Sequence, residues 1–169
     1  RLNESPEHAV EMLKNVHGDS DVTFTAMLAR ATALQSLGRV DEAITVLQEA
    51  GQLRDLSSLR RARLIDRLGQ IYSAIGRPKD ARKLFENALR LLQDSDDQML
   101  LARVTFNLGW VNMRGDRAAE AVEQLQSALD LAQQQGDRAF EANALGGMAL
   151  ALHLAGERQG SEACMLRGL

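Results

Sequence analysis

One pattern of apolar residues, from Leu68 to Leu91, constrains the fold more than any other feature of the chain. Leu68 and Tyr72 lie four residues apart, and Phe85, Ala88 and Leu91 follow at intervals of three. Spacings of three and four place side chains on one stripe of a helix, which is then buried on that side. The pattern therefore predicts two consecutive amphipathic helices.

The residues between and within these helices predict an antiparallel pair. Gly76 is suited to end the first helix, and Pro78 is suited to the first position of the second, where its missing N–H costs nothing. Gly69 and Ala81 are small, which allows two backbones to approach closely. A larger side chain at either position is expected to cost roughly 1 to 3 kcal/mol through overpacking.

The same pattern recurs along the chain, which makes chance an inadequate explanation. The Ala, aromatic or Leu, and Ala positions of the second helix are found in three well-matched copies, at Ala43, Leu47 and Ala50, at Ala81, Phe85 and Ala88, and at Ala121, Leu125 and Ala128. A fourth, weaker copy is formed by Gly156, Ser161, Met165 and Gly168.

These residues resemble the signature of the tetratricopeptide repeat family, with Leu68-Gly69 and Leu108-Gly109 standing at its Leu-Gly pair. The resemblance implies an all-α fold of tandem antiparallel helix pairs stacked into a right-handed superhelix, an α-solenoid. The intervals of 38 to 40 residues are longer than is usual and are similar to those of spindle-orientation adaptors, kinesin light chains and bacterial regulators of the maltose-activator type. The expected segments are a half repeat at 1–18 and repeats at 20–56, 57–96, 97–136 and 137–169.

Cap residues and breaks predict where individual helices begin. Ser5 is expected to cap the first helix, Ser20 or Asp21 the second, and Asp137 the helix of residues 138–154. The acidic run at residues 94–97 is interpreted as a helix cap, because it lacks the spread of ligands that a calcium loop requires. Gly146-Gly147 is expected to pack closely against the preceding repeat. Because the chain begins within the pattern, we expect it to be a fragment of a longer array.

Composition restricts the function more than it identifies it. With 169 residues, 45% of them hydrophobic, and a net charge of -3, the chain has enough apolar material for a sizeable core and no basic footprint for nucleic acid. The sequence lacks an apolar run of membrane-spanning length. The single cysteine, Cys164, is expected to be a buried, inert thiol in a reducing cytoplasmic protein. The three histidines lie far apart, so neither catalysis nor a metal or other cofactor is expected.

The resemblance also implies a binding groove lined by the first helix of each repeat. The residues carried over to that groove are Arg63, Arg67, Gln70, Arg103, Phe106, Asn107, Trp110, Arg114 and Asn143, with Thr25, Leu28, Thr32, Gln35, Asp66, Leu150 and His153 as further lining positions. Leu28 and Thr32 replace the Lys and Asn of the carboxylate clamp in chaperone-tail binders, which disfavours that partner.

Two interpretations of these groove residues remain open at this point. In the first, Arg63, Arg67 and Arg103 share one wall, and the groove takes an extended acidic peptide with an apolar anchor near Trp110, since Arg pairs bidentately with carboxylates. In the second, the arginines pair with carboxylates of neighbouring helices and Trp110 fills a seam between repeats.

The expected function is therefore a non-catalytic protein-interaction module. A regulatory or sensor array within a larger signalling protein is the first alternative. Self-association through exposed terminal repeats, where Leu150, Leu154 and Met165 are at risk of exposure, is the second.

Overall fold

Stacked α-helices, most of them paired as hairpins, make up the described part of the chain. The computed structural model describes residues 5–16, 19–115 and 117–168. Within those residues there are nine α-helices and no strand. They are α1 (Pro6–Lys14), α2 (Ser20–Ser36), α3 (Val40–Ala50), α4 (Ser58–Ala74), α5 (Pro78–Leu91), α6 (Gln98–Arg114), α7 (Ala118–Gln135), α8 (Arg138–Leu154) and α9 (Arg158–Arg167).

The helices stack as hairpins in chain order. Within the hairpins, α2 packs on α3, α4 on α5, α6 on α7 and α8 on α9. Between hairpins, α5 packs on α6, and α7 packs on α8. α3 meets α4 over a smaller surface than the other consecutive helices share. α4 also contacts α6, and α6 contacts α8. The even-numbered helices thus lie side by side, and the all-α array of stacked helix pairs is confirmed, while the exact repeat boundaries stay a prediction.

The core follows the repeated positions that define the pattern. Ala81, Phe85 and Ala88 are at most 1% exposed, as are their counterparts in the first and third copies. Gly69 lies directly against the ring of Phe85, and a Cβ atom built on Gly69 would lie 2.6 Å from Cε1 of that ring. The small residue is therefore needed to seat an aromatic side chain of the facing helix, which is a more specific reason than close backbone approach alone.

The adjacent glycines of α8 differ from each other. A Cβ atom on Gly147 would lie 3.2 Å from Leu125 and 3.2 Å from Phe106, so this glycine packs against the preceding hairpin as expected. Gly146 is exposed, and a Cβ atom there would meet nothing within 4 Å. The expectation of close packing is wrong for Gly146, because successive residues of a helix point about 100° apart and this one faces solvent.

Most helix starts agree with the sequence. Ser5 accepts the N–H of His8, and Asp137 accepts the N–H of Phe140. The prediction for α2 is wrong, since its N-cap is Asp19. Oδ1 of Asp19 accepts the N–H groups of Asp21 and Val22 at 3.0 and 2.9 Å. The predicted caps, Ser20 and Asp21, lie inside the first turn.

Four connections between helices share one backbone feature. Gly38, Gly76 and Gly156 lie in hairpin turns and Gly136 joins α7 to α8, and their φ values are 74°, 78°, 85° and 68°. Only glycine adopts this left-handed conformation without a steric cost, which explains why each stands at the C-cap of a helix or one residue beyond it. The turn between α6 and α7 differs, since Gly115 has a φ of -105°.

The last hairpin is less completely buried than the others. Ser161 and Cys164 face the core, whereas Met165, the counterpart of Phe85, is 55% exposed. Leu150 and Leu154 are also exposed, as expected from the sequence. Among the described residues, every helix is either too short or too polar to cross a bilayer.

Candidate partner-binding face

A buried carboxylate organises the exposed side of α4 and α6. Asp66 is 1% exposed, and its Oδ2 accepts hydrogen bonds from Nε2 of Gln70 at 2.9 Å and from Nε of Arg103 at 3.0 Å. Its Oδ1 accepts a third bond from Nδ2 of Asn107 at 2.9 Å. We refer to these four residues as the Asp66 cluster, and they join the second hairpin to the third.

Helix geometry explains why these four side chains meet. Asp66 and Gln70 lie one turn apart on α4, and Arg103 and Asn107 lie one turn apart on α6, so each pair points to the same side of its helix. Because α4 and α6 are neighbours, the two pairs face each other. A buried carboxylate is tolerable only when it is hydrogen-bonded, and three donors satisfy this one.

Arg63 is engaged in a second contact between hairpins. Its Nη2 lies 2.8 Å from Oδ2 of Asp97, whose Oδ1 caps α6 by accepting the N–H of Leu100 at 2.9 Å. Burial acts to raise the pKa of Asp97, but the hydrogen bonds from Arg63 and Leu100 outweigh it, so this pKa is lowered. The run at 94–97 is thereby confirmed to provide a helix cap.

Two other arginines of this face have no carboxylate partner among the described residues. Nη1 of Arg67 donates only to Oε1 of Gln70, at 3.3 Å, and Arg114 is exposed at the end of α6. Arg103 keeps 46% of its side chain exposed despite its bond to the Asp66 cluster. Arg63 and Arg103 are therefore paired with carboxylates of the protein, as the second interpretation expected, whereas Arg67 and Arg114 have no such partner in the described part of the chain.

Aromatic side chains continue the same face toward α8. Phe106 stacks on Trp110 with ring centroids 6.3 Å apart, and it meets Phe140 edge to face at 5.6 Å. Phe106 is half-buried and packs against the core, while Trp110 remains 37% exposed. Gly147 of α8 lies against Phe106 of α6. The exposed Leu150 follows Gly147 by about one turn of α8, as Trp110 follows Phe106 by about one turn of α6, so Leu150 lies at the same height in the array as Trp110. Phe106, Trp110 and Leu150 form what we call the apolar patch.

The remaining lining positions contribute less. Thr25 and Thr32 return their hydroxyl groups to carbonyl oxygens of α2, at 2.8 and 2.9 Å. Asn143 and His153 are exposed on α8, and no hydrogen bond of either side chain is seen within the described residues. Of the residues predicted from the sequence, the structure brings Gln70, Arg103 and Asn107 together and leaves Asn143 apart from them.

Groups that could support catalysis are scattered. Within the described part of the chain, no three His, Cys, Asp or Glu side chains are arranged to hold a metal ion. Cys164 is a buried free thiol, and His8 and His153 are exposed on α1 and α8.

The stacked hairpins define an α-solenoid repeat protein. Two family models, both described as tetratricopeptide repeat, match residues 60–134 and 25–53. The chain belongs to the tetratricopeptide repeat (TPR) family. Comparison with curated proteins gives no significant match.

Solved structures have the same fold at low sequence identity. BtubC from P. vanneervenii superposes with a TM-score of 0.80 at 21% identity, covering 96% of this chain and 68% of that one. The nearly identical TPR-like repeats of a kinesin light chain-like protein from Podosopora anserina give 0.77 at 20% identity, covering 98% and 86%. PlcR from Bacillus thuringiensis, solved with the peptide PapR7 and DNA, gives 0.77 at 16% identity, covering 98% and 64%. At these identities the likeness concerns the fold.

Asp66 was predicted to line the groove, but its role as the buried centre of the cluster was not predicted. The available signal was a pair of polar residues one turn apart on α4 and another pair on α6. Asp66 lies 37 residues before Arg103 and 41 before Asn107, separations close to the repeat interval, so a contact between the same faces of successive hairpins could in principle have been predicted.

Proposed function

We propose that this array is a non-catalytic interaction module that binds an extended peptide segment of a partner protein along the exposed side of α2, α4, α6 and α8. Solenoids present extended, curved surfaces of this kind for binding. The observation that carries the proposal is the combination, on one face, of the exposed Trp110 with Arg67 and Arg114, for which the described residues provide no carboxylate partner.

The proposed partner segment carries both carboxylates and an apolar side chain. Arg67 and Arg114 offer guanidinium groups that form no ion pair with any of the described residues, and such groups pair bidentately with carboxylates. The apolar patch of Phe106, Trp110 and Leu150 offers a half-exposed aromatic surface for an apolar anchor, and Trp and Arg are frequent anchors of interfaces. Asn143, exposed and unpaired among the described residues, is suited to bond the peptide backbone.

The Asp66 cluster supports this face by holding it rigid. Arg103 and Asn107 are oriented by a carboxylate that is itself fixed, so their remaining donor groups are pre-organised before a partner arrives. Arg63 is similarly fixed by Asp97. These residues are proposed to shape the groove, whereas Arg67, Arg114 and Trp110 are proposed to supply most of the affinity.

The test is selection from a pool of random nine-residue peptides, followed by fluorescence anisotropy of the enriched sequences. We expect enriched peptides to contain acidic residues and one large apolar residue. We expect Arg67→Gln to weaken their binding about tenfold, the effect of one charge-assisted contact of about 1.4 kcal/mol. The matched control is Arg90→Gln, which removes the same charge from the exposed side of α5.

Arg63, Arg67 and Arg103 are unsuitable for joint replacement, because loss of Arg103 would disturb the buried Asp66 and confuse binding with folding. Equal affinity of the selected peptides for the wild type, Arg67→Gln and Trp110→Ala would overturn the proposal. So would a selection that enriches basic peptides.

A regulatory array inside a longer protein is the second candidate. It is favoured by the similarity in fold to PlcR, which was solved with a peptide and DNA. In this version the peptide on the same face would change the state of an attached domain, and nucleic acid would not contact this segment. A cytoplasmic location is part of both versions, since the buried Cys164 requires no oxidising compartment.

Self-association is the third candidate, and it rests on the exposed apolar side chains of the last hairpin. Met165 and Leu166 of α9 are 55% and 74% exposed, and Leu154, at the end of α8, is 57% exposed. Sedimentation over a concentration series tests it. A monomer at all concentrations excludes it, and loss of a dimer in Leu166→Glu supports it.

A further inference from the structure

The guanidinium group of Arg67 and the ring of Trp110 lie at about the same level of the partner-binding face, on neighbouring helices. Nη1 of Arg67 donates to Oε1 of Gln70 at 3.3 Å, so the charged end of Arg67 lies beside Gln70, about one turn further along α4 than its own backbone. Asp66 is bonded to Gln70 and also to Asn107 of α6, which fixes the register of the two helices. Gln70 follows Asp66 by four residues and Trp110 follows Asn107 by three, so both lie about one turn beyond this contact.

The guanidinium group of Arg67 and the ring of Trp110 are therefore separated across the helices rather than along them. α4 and α6 contact each other directly, and the axes of packed helices are about 8 to 10 Å apart. We expect the two groups to lie about one such distance apart. Arg114 has a different relation to Trp110, because it lies one turn further along the same helix, about 6 Å away.

Leu150 of α8 continues this row, which presents a cation, an aromatic ring and an aliphatic side chain in order. Trp110 is 37% exposed and Leu150 is 40% exposed. Arg67 forms no ion pair with any described residue, because the nearby Asp66 is occupied by three other donors. A ligand that uses the charge and the apolar surface together must span about 8 to 10 Å.

Two peptide conformations place side chains of the same side this far apart. A polyproline II helix has three residues per turn and rises about 3.1 Å per residue, so side chains three positions apart share a side at a distance of about 9.3 Å. In an α-helix, seven residues make nearly two turns and rise about 10.5 Å. A β-strand fits less well, because its side chains of one side are about 6.6 Å apart at two positions and about 13 Å apart at four.

The hydrogen-bond donors of this face distinguish the polyproline II helix from the α-helix. Arg103 donates to Asp66 through Nε, and no hydrogen bond of its Nη groups is seen within the described residues. Since Oδ2 of Asp66 also accepts from Gln70, the guanidinium group of Arg103 lies beside Gln70, on the α6 side of Arg67. The carbonyl groups of a polyproline II segment are free to accept such donors, whereas an α-helix uses its carbonyl groups internally.

We infer that the partner segment binds as a polyproline II helix in which an acidic residue and a large apolar residue stand three positions apart. The carboxylate pairs with Arg67, the apolar side chain lies on Trp110 and Leu150, and carbonyl groups between them accept hydrogen bonds from Arg103. This motif rests on the proposed function, to which it adds a conformation and a spacing.

The experiment measures fluorescence anisotropy of labelled nine-residue peptides against the whole 169-residue chain. Each peptide carries one Glu and one Phe, separated by one to seven positions in a background of Ser and Gly, and each separation is made in both orders. We expect the highest affinity at a separation of three positions in one of the two orders, about tenfold above the other separations. An optimum at two, four or seven positions would overturn the inference.

Proline at both positions between Glu and Phe tests the conformation. Proline fixes φ at about -65°, which suits polyproline II and is incompatible with the interior of an α-helix. The proline peptide should therefore bind at least as tightly as its counterpart with Ser and Gly. A loss of affinity of about tenfold or more on introducing the prolines would refute the assigned conformation.

Two variants of the protein separate this motif from the proposed function. Arg67→Gln should abolish the preference for three positions, whereas Arg114→Gln should leave that preference in place, with circular dichroism verifying that both variants are folded. If folded Arg67→Gln keeps the preference, or if peptides bind with no preferred separation while Trp110→Ala still weakens binding, the motif is wrong and the binding face stands. If no peptide binds, both the motif and the proposed function are wrong.

Discussion

Gly69 and Gly146 provide a matched pair for testing the packing of the array. Both lie in the interior of a helix, and both are replaced by Ala in the test, so the change in intrinsic helix propensity is the same. Gly69 faces the ring of Phe85 at 2.6 Å from a built Cβ atom, whereas nothing lies within 4 Å of a Cβ atom at Gly146. The difference between the two variants therefore measures packing alone.

The expected magnitudes follow from these distances. Replacing a glycine by alanine within a helix stabilises it by about 1 kcal/mol, and Gly146→Ala should realise that gain in full. Gly69→Ala makes the same gain but forces the Phe85 ring to move, at an overpacking cost of roughly 1 to 3 kcal/mol. The two variants should thus differ by roughly 1 to 3 kcal/mol in the free energy of unfolding. For a chain of this size that corresponds to a gap of about 2 to 12 °C in Tm.

Thermal and urea unfolding, followed by circular dichroism at 222 nm, measure the difference in stability between the two variants. We expect the stability of the wild type to lie between those of the two variants or close to that of Gly69→Ala. Equal Tm values for Gly69→Ala and Gly146→Ala would show that Gly69 does not seat Phe85. A large loss of stability in Gly146→Ala would show that α8 is packed differently from the arrangement described above.

Two further predictions concern the partner-binding face. Arg103→Ala should lower the free energy of unfolding by about 1 to 3 kcal/mol, because it removes a hydrogen-bond donor from the buried Asp66. Arg67→Ala should change the free energy of unfolding by no more than about 0.5 kcal/mol. Urea unfolding of the two variants measures both effects. Arg63→Gln should destabilise the protein at neutral pH by removing the contact that lowers the pKa of Asp97. The lowered pKa contributes stability above about pH 3.9, the unfolded value, and this contribution is lost as the pH falls through the folded value. The wild type and Arg63→Gln should therefore converge in stability below that pH, and a difference that persists unchanged in acid would contradict the assignment.

The helical hairpins could be predicted from the sequence because each rests on local features that recur. Gly76, Pro78 and the Ala81, Phe85 and Ala88 stripe specify a turn and a buried face with no information from the rest of the chain. The cap of α2 was misplaced by one or two residues because Asp19, Ser20 and Asp21 are all good caps, and only the backbone angles select Asp19.

The site was less predictable because its contacts join different hairpins. Arg63, Arg67 and Arg103 look alike in the sequence, and whether each is paired depends on which carboxylate the stacking brings near it. Asp97 reaches Arg63 and Asp66 reaches Arg103, but no carboxylate among the described residues reaches Arg67. Repeat position specifies which face a residue occupies, and the stacking between repeats decides its partner.

The smaller contact surface between α3 and α4 has a consequence for how the array responds to force and to partners. In a one-dimensional stack, stability is the sum of the terms within each repeat and the coupling terms between neighbours. The seam with the weakest coupling is where the stack bends or separates with least cost in free energy. The Asp66 cluster and the contact of Arg63 with Asp97 reinforce the next junction, so we expect bending to concentrate between α3 and α4.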